Sequence, residues 1–379
     1  MKKEKILITG GAGFIGSNLA LKLLKQGHEV VVLDNLSPQI HGKDPEKSYT
    51  YQLVKDQVTF IKGDVRNRAD WEKALEDVNV VVHLAAETGT GQSMYDIYHY
   101  VDANIGGTAL LLDYLVNETH QVRKVIVASS RSVYGEGKFQ CDEHGVVYPN
   151  ERNDEDMQQK DFAVKCPICN KNVTMLPTDE ESFLHPSSVY GFTKKAQEEL
   201  CMLVGKSIQL PVVGFRFQNV YGPGQSLKNP YTGILSIFST QIKNGASIHI
   251  FEDGKETRDF VYIEDITDAI VLSIFNDNAN YEIFNVGSGE RLDVLTIANV
   301  LKESYHSDVT IKVSGNYRLG DIKDNLADLT KIHDLLGYEP KVSFKEGISN
   351  FVDWVEKQEI EANQYDKAME EMKQKGLYK

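Results

Sequence analysis

Long apolar runs are missing from this chain: none approaches the length of a bilayer-spanning helix, so no membrane partner is expected. An excess of basic residues is missing too. Lys and Arg number 41 against 55 Asp and Glu, a net charge of −14, and a chain of that sign is a poor partner for nucleic acid or anionic membrane. Cysteine is scarce: four in 379 residues are too few for a disulfide scaffold and point to a reducing cytoplasm. The lysine-rich opening Met1–Lys5 is followed by only three apolar residues before Thr9, which reads as a first strand and not as a secretion signal. Internal repeats and low-complexity tracts are absent as well. What is left is a soluble globular composition, 41% apolar and 25% charged, long enough for one large domain or two fused ones.

The most informative segment lies near the start. Ile6-Leu7-Ile8-Thr9 runs directly into Gly10-Gly11-Ala12-Gly13-Phe14-Ile15-Gly16, and the next apolar run, Val30–Leu33, ends at Asp34. A strand, a glycine-rich turn, a helix and a strand closed by a carboxylate outline a dinucleotide site. Gly10 permits the tight turn, Gly13 lets backbone N–H groups approach a pyrophosphate, and Gly16 lets helix and sheet pack closely. The helix N-terminus adds partial positive charge for the phosphates. Asp34 lies 18 residues beyond Gly16, where a carboxylate accepts both hydroxyls of an adenine ribose. It would repel the extra phosphate of NADP, so the expected cofactor is NAD.

Apolar runs at Lys5–Thr9, Val30–Leu33, Val58–Ile61, Val78–Leu84, Lys124–Ala128 and Pro211–Phe215 read as strands buried on both faces. Helical stretches at Phe14–Gln26, Ala69–Leu75, Asn104–Asn117 and Tyr190–Val204 alternate with them. That rhythm predicts an α/β fold, a doubly wound parallel sheet with ligands outside the carboxyl ends of its strands. Residues 1–218 are expected to form the NAD-binding domain. Residues 219–379 are expected to be mainly a smaller substrate lobe, with part of 256–275 returning to the first domain. Two stretches break the rhythm: a polar loop at Gln39–Gln57 and a long polar insertion at 136–186. The charged tail Glu356–Lys379 reads as a solvated terminal helix with no site, and Cys201 as a core thiol.

Tyr190-Gly191-Phe192-Thr193-Lys194 opens a helix and sets a phenol and an ammonium one turn apart on one face. A phenol of pKa about 10 is a poor base at neutral pH, and an adjacent cation favours its phenolate; three units of lowering correspond to roughly 4 kcal/mol. Lys194 also comes within reach of a nicotinamide ribose. At the end of the fifth strand, Ser130 in Ser129-Ser130-Arg131-Ser132-Val133-Tyr134-Gly135 supplies the hydroxyl that completes a proton relay.

Taken in order, TGGAGFIGS, DNL, GDVR (Gly63–Arg66), HLAA (His83–Ala86), NIGGT (Asn104–Thr108), SSRSVYG and YGFTK resemble the extended short-chain dehydrogenase/reductase family. More narrowly, they resemble its nucleotide-sugar epimerase/dehydratase branch. FQNVYGP (Phe217–Pro223), TRDF (Thr257–Phe260) and RLGD (Arg318–Asp321) extend the likeness through the second lobe. GQSMY (Gly91–Tyr95) and NPYTG (Asn229–Gly233) are most similar to the 4-epimerases of dTDP-rhamnose-type 6-deoxysugars. The resemblance implies a Rossmann domain in which Asn35, Asp64, Val65, Leu84, Ala85, Ala86 and Asn104 join the glycine turn, Asp34, Tyr190 and Lys194 in holding NAD. It implies a nucleotide-diphosphate sugar beside Thr88, Ser130, Arg131, Ser132 and Gln218, with Asn219, Arg258 and Arg318 on its diphosphate. The guanidinium fork suits phosphate oxygens and stays charged at any working pH. A homodimer built on the Asn104–Asn117 and Tyr190–Val204 helices is implied as well.

Dehydratases of this branch carry an acidic residue just after the strand-end hydroxyl. Here those positions are Arg131 and Ser132, so elimination lacks its general acid. Oxidation at sugar C4 remains: Tyr190 takes the hydroxyl proton, NAD takes the hydride and Ser130 holds the oxygen. Return of that hydride to the opposite face gives the C4 epimer. Reduction of an incoming keto sugar by fresh NADH, the alternative, would use the same residues.

From Ser130 to Tyr190 is 60 positions, and three of the four cysteines fall in between. Cys141-Asp142-Glu143-His144 and Cys166-Pro167-Ile168-Cys169 pair a CxxH with a CxxC, the pattern of a tetrahedral knuckle. A segment without enough apolar residues to fold itself gains stability from Zn²⁺. Four protein ligands leave no open position, so the expected role is structural, ordering a lid over the sugar.

Overall fold

Alternating side chains along the strands divide the apolar residues between the two faces of one sheet. In the computed structural model, which describes residues 3–229, 233–360 and 365–379, seven strands pair parallel throughout. They are β1 (Lys5–Thr9), β2 (Glu29–Asp34), β3 (Thr59–Lys62), β4 (Val80–His83), β5 (Lys124–Ser130), β9 (Val212–Phe217) and β11 (Ile283–Val286). Across the sheet the order is β11-β9-β5-β4-β1-β2-β3. The chain reverses its direction of travel beside β1, and the crevice between β1 and β4 opens at their carboxyl ends.

Leu7, Val31, Val81, Val125, Val127 and Val212 face helices α2 (Arg68–Ala74), α3 (Gly107–Asn117) and α5 (Val189–Ser207), through Trp71, Leu111, Leu115 and Cys201. Ile6, Ile8, Val30, Val32, Val80, Val82 and Ile126 face α1 (Phe14–Lys25) and α7 (Ile263–Phe275), through Leu19, Leu23, Ile266 and Ile270. Each such side chain is worth roughly 1.5–3 kcal/mol when buried. Cys201 is a core thiol, its pKa pushed up to about 12 by burial.

The doubly wound α/β expectation holds, with particular corrections. β11 was not anticipated: four residues following an Asn-rich stretch give too short a signal. The return to the first domain therefore extends beyond 256–275, as α7 packs on α1 and β11 on β9. Residues 39–57 are not a plain loop. Helices Pro38–His41 and Tyr49–Val54 flank a 3₁₀ turn at Pro45–Lys47, and Thr50 and Val54 are buried. Ahead of α3 the chain forms a π-helical turn at Val101–Gly106, so Asn104 sits before the regular helix.

The insertion forms its own sheet, β6 (Phe139–Cys141) between β7 (Gly145–Val147) and β8 (Thr174–Met175), with α4 at Asp154–Gln158. Its apolar residues are few but not absent: Phe139, Val147 and Val164 pack with Cys141 and Cys166. The second lobe has its own core, where α6 (Ile234–Lys243), α8 (Val294–Ser304) and α9 (Phe344–Val355) meet around Phe238, Ile297, Leu301 and Phe351. The tail is not simply solvated. Helix α10 (Tyr365–Gln374) buries Met369 and Met372 against Tyr95, Phe251 and Tyr378. Pro230–Thr232 of the NPYTG segment lie outside the described residues. No helix among the described residues is long and apolar enough to cross a membrane.

Candidate active site

One cavity runs from the glycine turn to the second lobe along the carboxyl ends of β1, β2, β4, β5 and β9. At its floor, α1 begins at Phe14 directly after Gly13, and Gly13–Gly16 line the cavity. A Cβ on Gly16 would stand 2.4 Å from the Gly10 carbonyl oxygen, so only glycine lets α1 approach the turn this closely. That leaves a cradle of backbone with a helix N-terminus aimed into it, a fit for a pyrophosphate. Asp34 lines the same floor, its oxygens accepting N–H bonds from Ala12 (3.0 Å) and Leu36 (2.8 Å). Burial pushes its carboxyl up, and His41, 3.7 Å away, opposes this as a partner not foreseen from sequence. Asn35 donates to Asp64 at 3.1 Å, and the Arg66 guanidinium holds the Asp64 carboxyl at about 2. Val65, Leu84, Ala85 and Ala86 complete the wall. These groups suit NAD.

Asn104, next to the cavity-lining Ala103, is fully buried and bonded to both backbone groups of Glu87 and to Thr193 Oγ1, so it ties the loop after β4 to α5.

The reacting corner forms where β5 meets α5. Ser188 caps α5, accepting the Gly191 N–H at 3.1 Å, and the Ser93 hydroxyl accepts the Tyr190 N–H at 3.0 Å. A Cβ on Gly191 would lie 2.6 Å from the Ser132 carbonyl oxygen, so the helix presses directly on the 3₁₀ turn Arg131–Tyr134. Ser130 Oγ accepts from Ser132 N and Ser132 Oγ. Tyr190, Lys194, Ser130, Arg131 and Ser132 all line the cavity.

The electrostatics differ from expectation in one respect. Lys194 donates to Gln197 Oε1 at 2.8 Å, and burial pushes its ammonium down to about 8. Burial also raises the Tyr190 phenol, opposed first by its hydrogen bond with Ser130 and then by the charge of Arg131. The cation bearing on the phenol in this state is thus Arg131, whose own pKa falls to about 10 through burial and then through Arg258.

Across the cavity, β10 (Thr257–Arg258) presents Arg258, which donates to the carbonyl oxygens of Thr257, Ile322 and Lys323 at 2.8–2.9 Å. Arg318 Nη2 donates to Asp321 Oδ2 at 2.8 Å, and Arg258 lies 3.7 Å from the same carboxylate. Asp321 is accordingly held well below the usual carboxylate range, the opposing charges of Arg318 and Arg258 outweighing its burial. Thr88, Gln218 and Asn219 line this cavity with the two arginines. Gln218 Oε1 and both oxygens of Glu256 are buried on the cavity wall without a hydrogen-bond partner among the described residues, as polar groups that meet a ligand would be. Glu256 was not singled out from sequence; its spacing of two from Arg258 was the available signal.

In the insertion, Cys141, His144, Cys166 and Cys169 bring one ligand atom each within 4.8 Å of one another. Cys141 Sγ lies 3.5 Å from His144 Nδ1 and 3.8 Å from Cys169 Sγ, with Cys166 Sγ 3.7 Å from His144 Nδ1. Those are the edges of a tetrahedron with metal–sulfur bonds of about 2.3 Å, and far too long for a disulfide.

Comparison with known proteins agrees with this geometry. The NAD dependent epimerase/dehydratase family matches over residues 6–153 and 169–287. A dTDP-L-rhamnose 4-epimerase from Burkholderia thailandensis is 36% identical, over 93% of this chain and 95% of that one. The crystal structure of UDP-glucuronic acid 4-epimerase from Bacillus cereus in complex with UDP-glucuronic acid and NAD has a TM-score of 0.76 at 30% identity, covering 93% of this chain and 99% of that one. UDP-glucose 4-epimerase from Thermotoga maritima with UDP-glucose gives a TM-score of 0.75 at 30% identity and the same coverage. With the family's model matched over most of the chain and these relatives similar over nearly its whole length, the chain that carries this glycine cradle, Ser–Tyr–Lys corner and arginine pair belongs to the NAD dependent epimerase/dehydratase family.

Proposed function

We propose that this chain inverts C4 of a nucleotide-diphosphate sugar, a 6-deoxyhexose of the dTDP-rhamnose type, through transient oxidation to the 4-keto sugar. The chain is an enzyme, an NDP-sugar 4-epimerase with NAD as its bound cofactor. The observation that carries the reading is one continuous cavity: the backbone cradle at Gly10–Gly16 at one end, Arg258 and Arg318 at the other, and Tyr190 with Ser130 between them.

NAD, when bound, supplies the acceptor and donor of the C4 hydride. Tyr190 takes the C4 hydroxyl proton and gives it back to the epimer. Ser130 hydrogen-bonds the C4 oxygen, Arg131 supplies the positive charge that favours the phenolate, and Lys194, one turn along α5, is the group for the nicotinamide ribose. Arg258, Arg318 and Asn219 hold the diphosphate, so the hexose can turn over about its phosphate tether and present its other face. The 6-deoxyhexose assignment draws support from the Burkholderia relative, and C4 inversion without elimination from the absence of a carboxylic acid at Arg131 and Ser132.

The cysteine–histidine cluster holds one structural zinc ion, supported by its tetrahedral edges. The active form is a homodimer in a reducing cytoplasm: Val116 on α3 and Phe192 and Leu203 on α5 expose large apolar side chains, and none of the four cysteines is paired in a disulfide.

Incubation with dTDP-L-rhamnose, UDP-glucose and UDP-glucuronate without added NAD, followed by NMR of the products, tests the reaction. C4 epimers of the dTDP-6-deoxysugar are expected at no net redox cost. Build-up of a 4-keto sugar that needs added NAD and forms NADH in step, or turnover of the UDP-sugars alone, would contradict the assignment. Elemental analysis is expected to give about one zinc per chain, from one four-ligand knuckle.

A further inference from the structure

The insertion holds more than the cysteine–histidine cluster. Arg152 lies between its two halves in sequence and is buried to 3% exposure together with Glu136 and Glu252. Its guanidinium meets Glu252 through both oxygens (Nη1–Oε2 2.6 Å, Nη2–Oε1 2.9 Å) and Glu136 Oε1 through Nε at 3.1 Å. Nη2 also donates to the Asp321 carbonyl oxygen at 2.9 Å, and the free oxygen of Glu136 accepts the Lys323 N–H at 2.9 Å. Residues 321–323 are the same stretch on which both cavity arginines rest, Arg318 through the Asp321 carboxylate and Arg258 through the carbonyls of Ile322 and Lys323. One guanidinium therefore fixes the backbone that aims the diphosphate grip.

The segment carrying Arg152 is held at its two ends. His144 and Cys166 are 22 positions apart in sequence and 3.7 Å apart in space. A metal bound by both closes that loop and removes most of the freedom its chain would otherwise have. Further contacts run in the same direction: Tyr317 Oη donates to Asp154 at 2.6 Å and Lys160 Nζ to the Gly315 carbonyl at 2.7 Å, so α4 and the turn after it lie on the segment leading into Arg318. Buried ion pairs contribute little net stability, because desolvation offsets their attraction; what they do well is fix geometry.

We propose that the Cys141–His144–Cys166–Cys169 metal cluster anchors an electrostatic latch, closed by Arg152 on Glu252, Glu136 and the 321–323 backbone, that sets Arg258 and Arg318 for the substrate's diphosphate. Metal occupancy then governs affinity for the nucleotide sugar and leaves the chemistry at Tyr190 alone. Arg152 is a positioning residue, since it does not line the cavity and acts through the 321–323 backbone. The inference rests on the zinc reading given above.

The test uses the NAD-loaded full chain. Arg152→Met would leave two buried carboxylates short of a partner and threatens the fold, so Glu252→Gly is the sharper variant. Glu252 has φ +48°, a conformation glycine adopts freely, and Arg152 keeps Glu136 while Lys323 keeps Asp253. Glu252→Gly is expected to retain zinc, NAD and kcat while raising KM, and the Kd for dTDP by calorimetry, about tenfold. Cys166→Ser is expected to lose zinc and weaken dTDP binding likewise, with the double variant no worse than the weaker-binding single. Unchanged dTDP affinity in either variant overturns the latch, as does full additivity of the two. Wild-type protein without bound metal overturns the zinc reading and the anchor together, whereas zinc present with affinity unmoved overturns the latch alone.

Discussion

The two walls of the cavity are built on opposite principles. On the sheet side, the carboxyl ends of β1, β2, β4 and β5 are positioned by apolar burial on both faces, and the ligand surface is largely backbone made accessible by glycine. On the arginine side, Arg258 and Arg318 are positioned chiefly by polar contacts: Asp321, Glu136, Glu252 and Arg152 hold one another, and Arg318 lies over the Phe251 ring. The first wall is pre-formed by the core and insensitive to any one partner. The second is a chain of mutual dependencies, in which losing one charge leaves another buried and unpaired. Reading NAD and gripping a diphosphate thus rely on different kinds of stability.

The difference can be broken from either side. Tyr190→Phe, between the walls, is expected to lower turnover about 10³-fold while leaving NAD bound and the melting temperature unchanged, as read by product NMR and by cofactor release on denaturation. Gly16→Ala attacks the sheet wall. Its Cβ meets backbone at 2.4 Å, so a loss of about 3 kcal/mol in stability is expected along with loss of bound NAD. Treatment with a chelator, which would strip the zinc proposed for the cysteine–histidine cluster, attacks the other wall. Limited proteolysis is expected to cut within 136–186 while the sheet domain and its NAD stay intact; simultaneous loss of both would erase the distinction.

A subtler measurement concerns His83, at the carboxyl end of β4 and bonded to Thr9 and Thr108. Burial pushes its imidazole down to about 3. Between pH 6.5 and that value the unfolded chain binds a proton that the folded one refuses. Its contribution is therefore present above pH 6.5 and falls as pH falls, by about 1.4 kcal/mol per pH unit for one proton. Urea titrations of His83→Gln are expected to show a shallower acid loss than wild type.

Legibility in the sequence followed the same division. Runs such as Val80–His83 and the glycines ahead of α1 carry local signals, so the sheet, Asp34, Ser130 and Tyr190 could be placed before any coordinates. Arg258 and Arg318 were identified through motif likeness. Their supports were not: Arg152 and Glu252 are 100 positions apart, and nothing local in either marks a partner. Met369 and Met372 were hidden by the charged residues around them, whose average says solvent while the two methionines say core. β11 failed on length alone.

Helix α5 carries Tyr190 and Lys194 toward the cavity and, on the same rod, exposes Phe192 and Leu203 to the outside. Phe192 is two residues from the phenol. Any tilt imposed by a neighbour at the outer face is therefore a displacement of the proton-transfer group, with no hinge between to absorb it. In the homodimer proposed above, assembly and turnover would share one mechanical part, and a surface substitution at Phe192 would report on both.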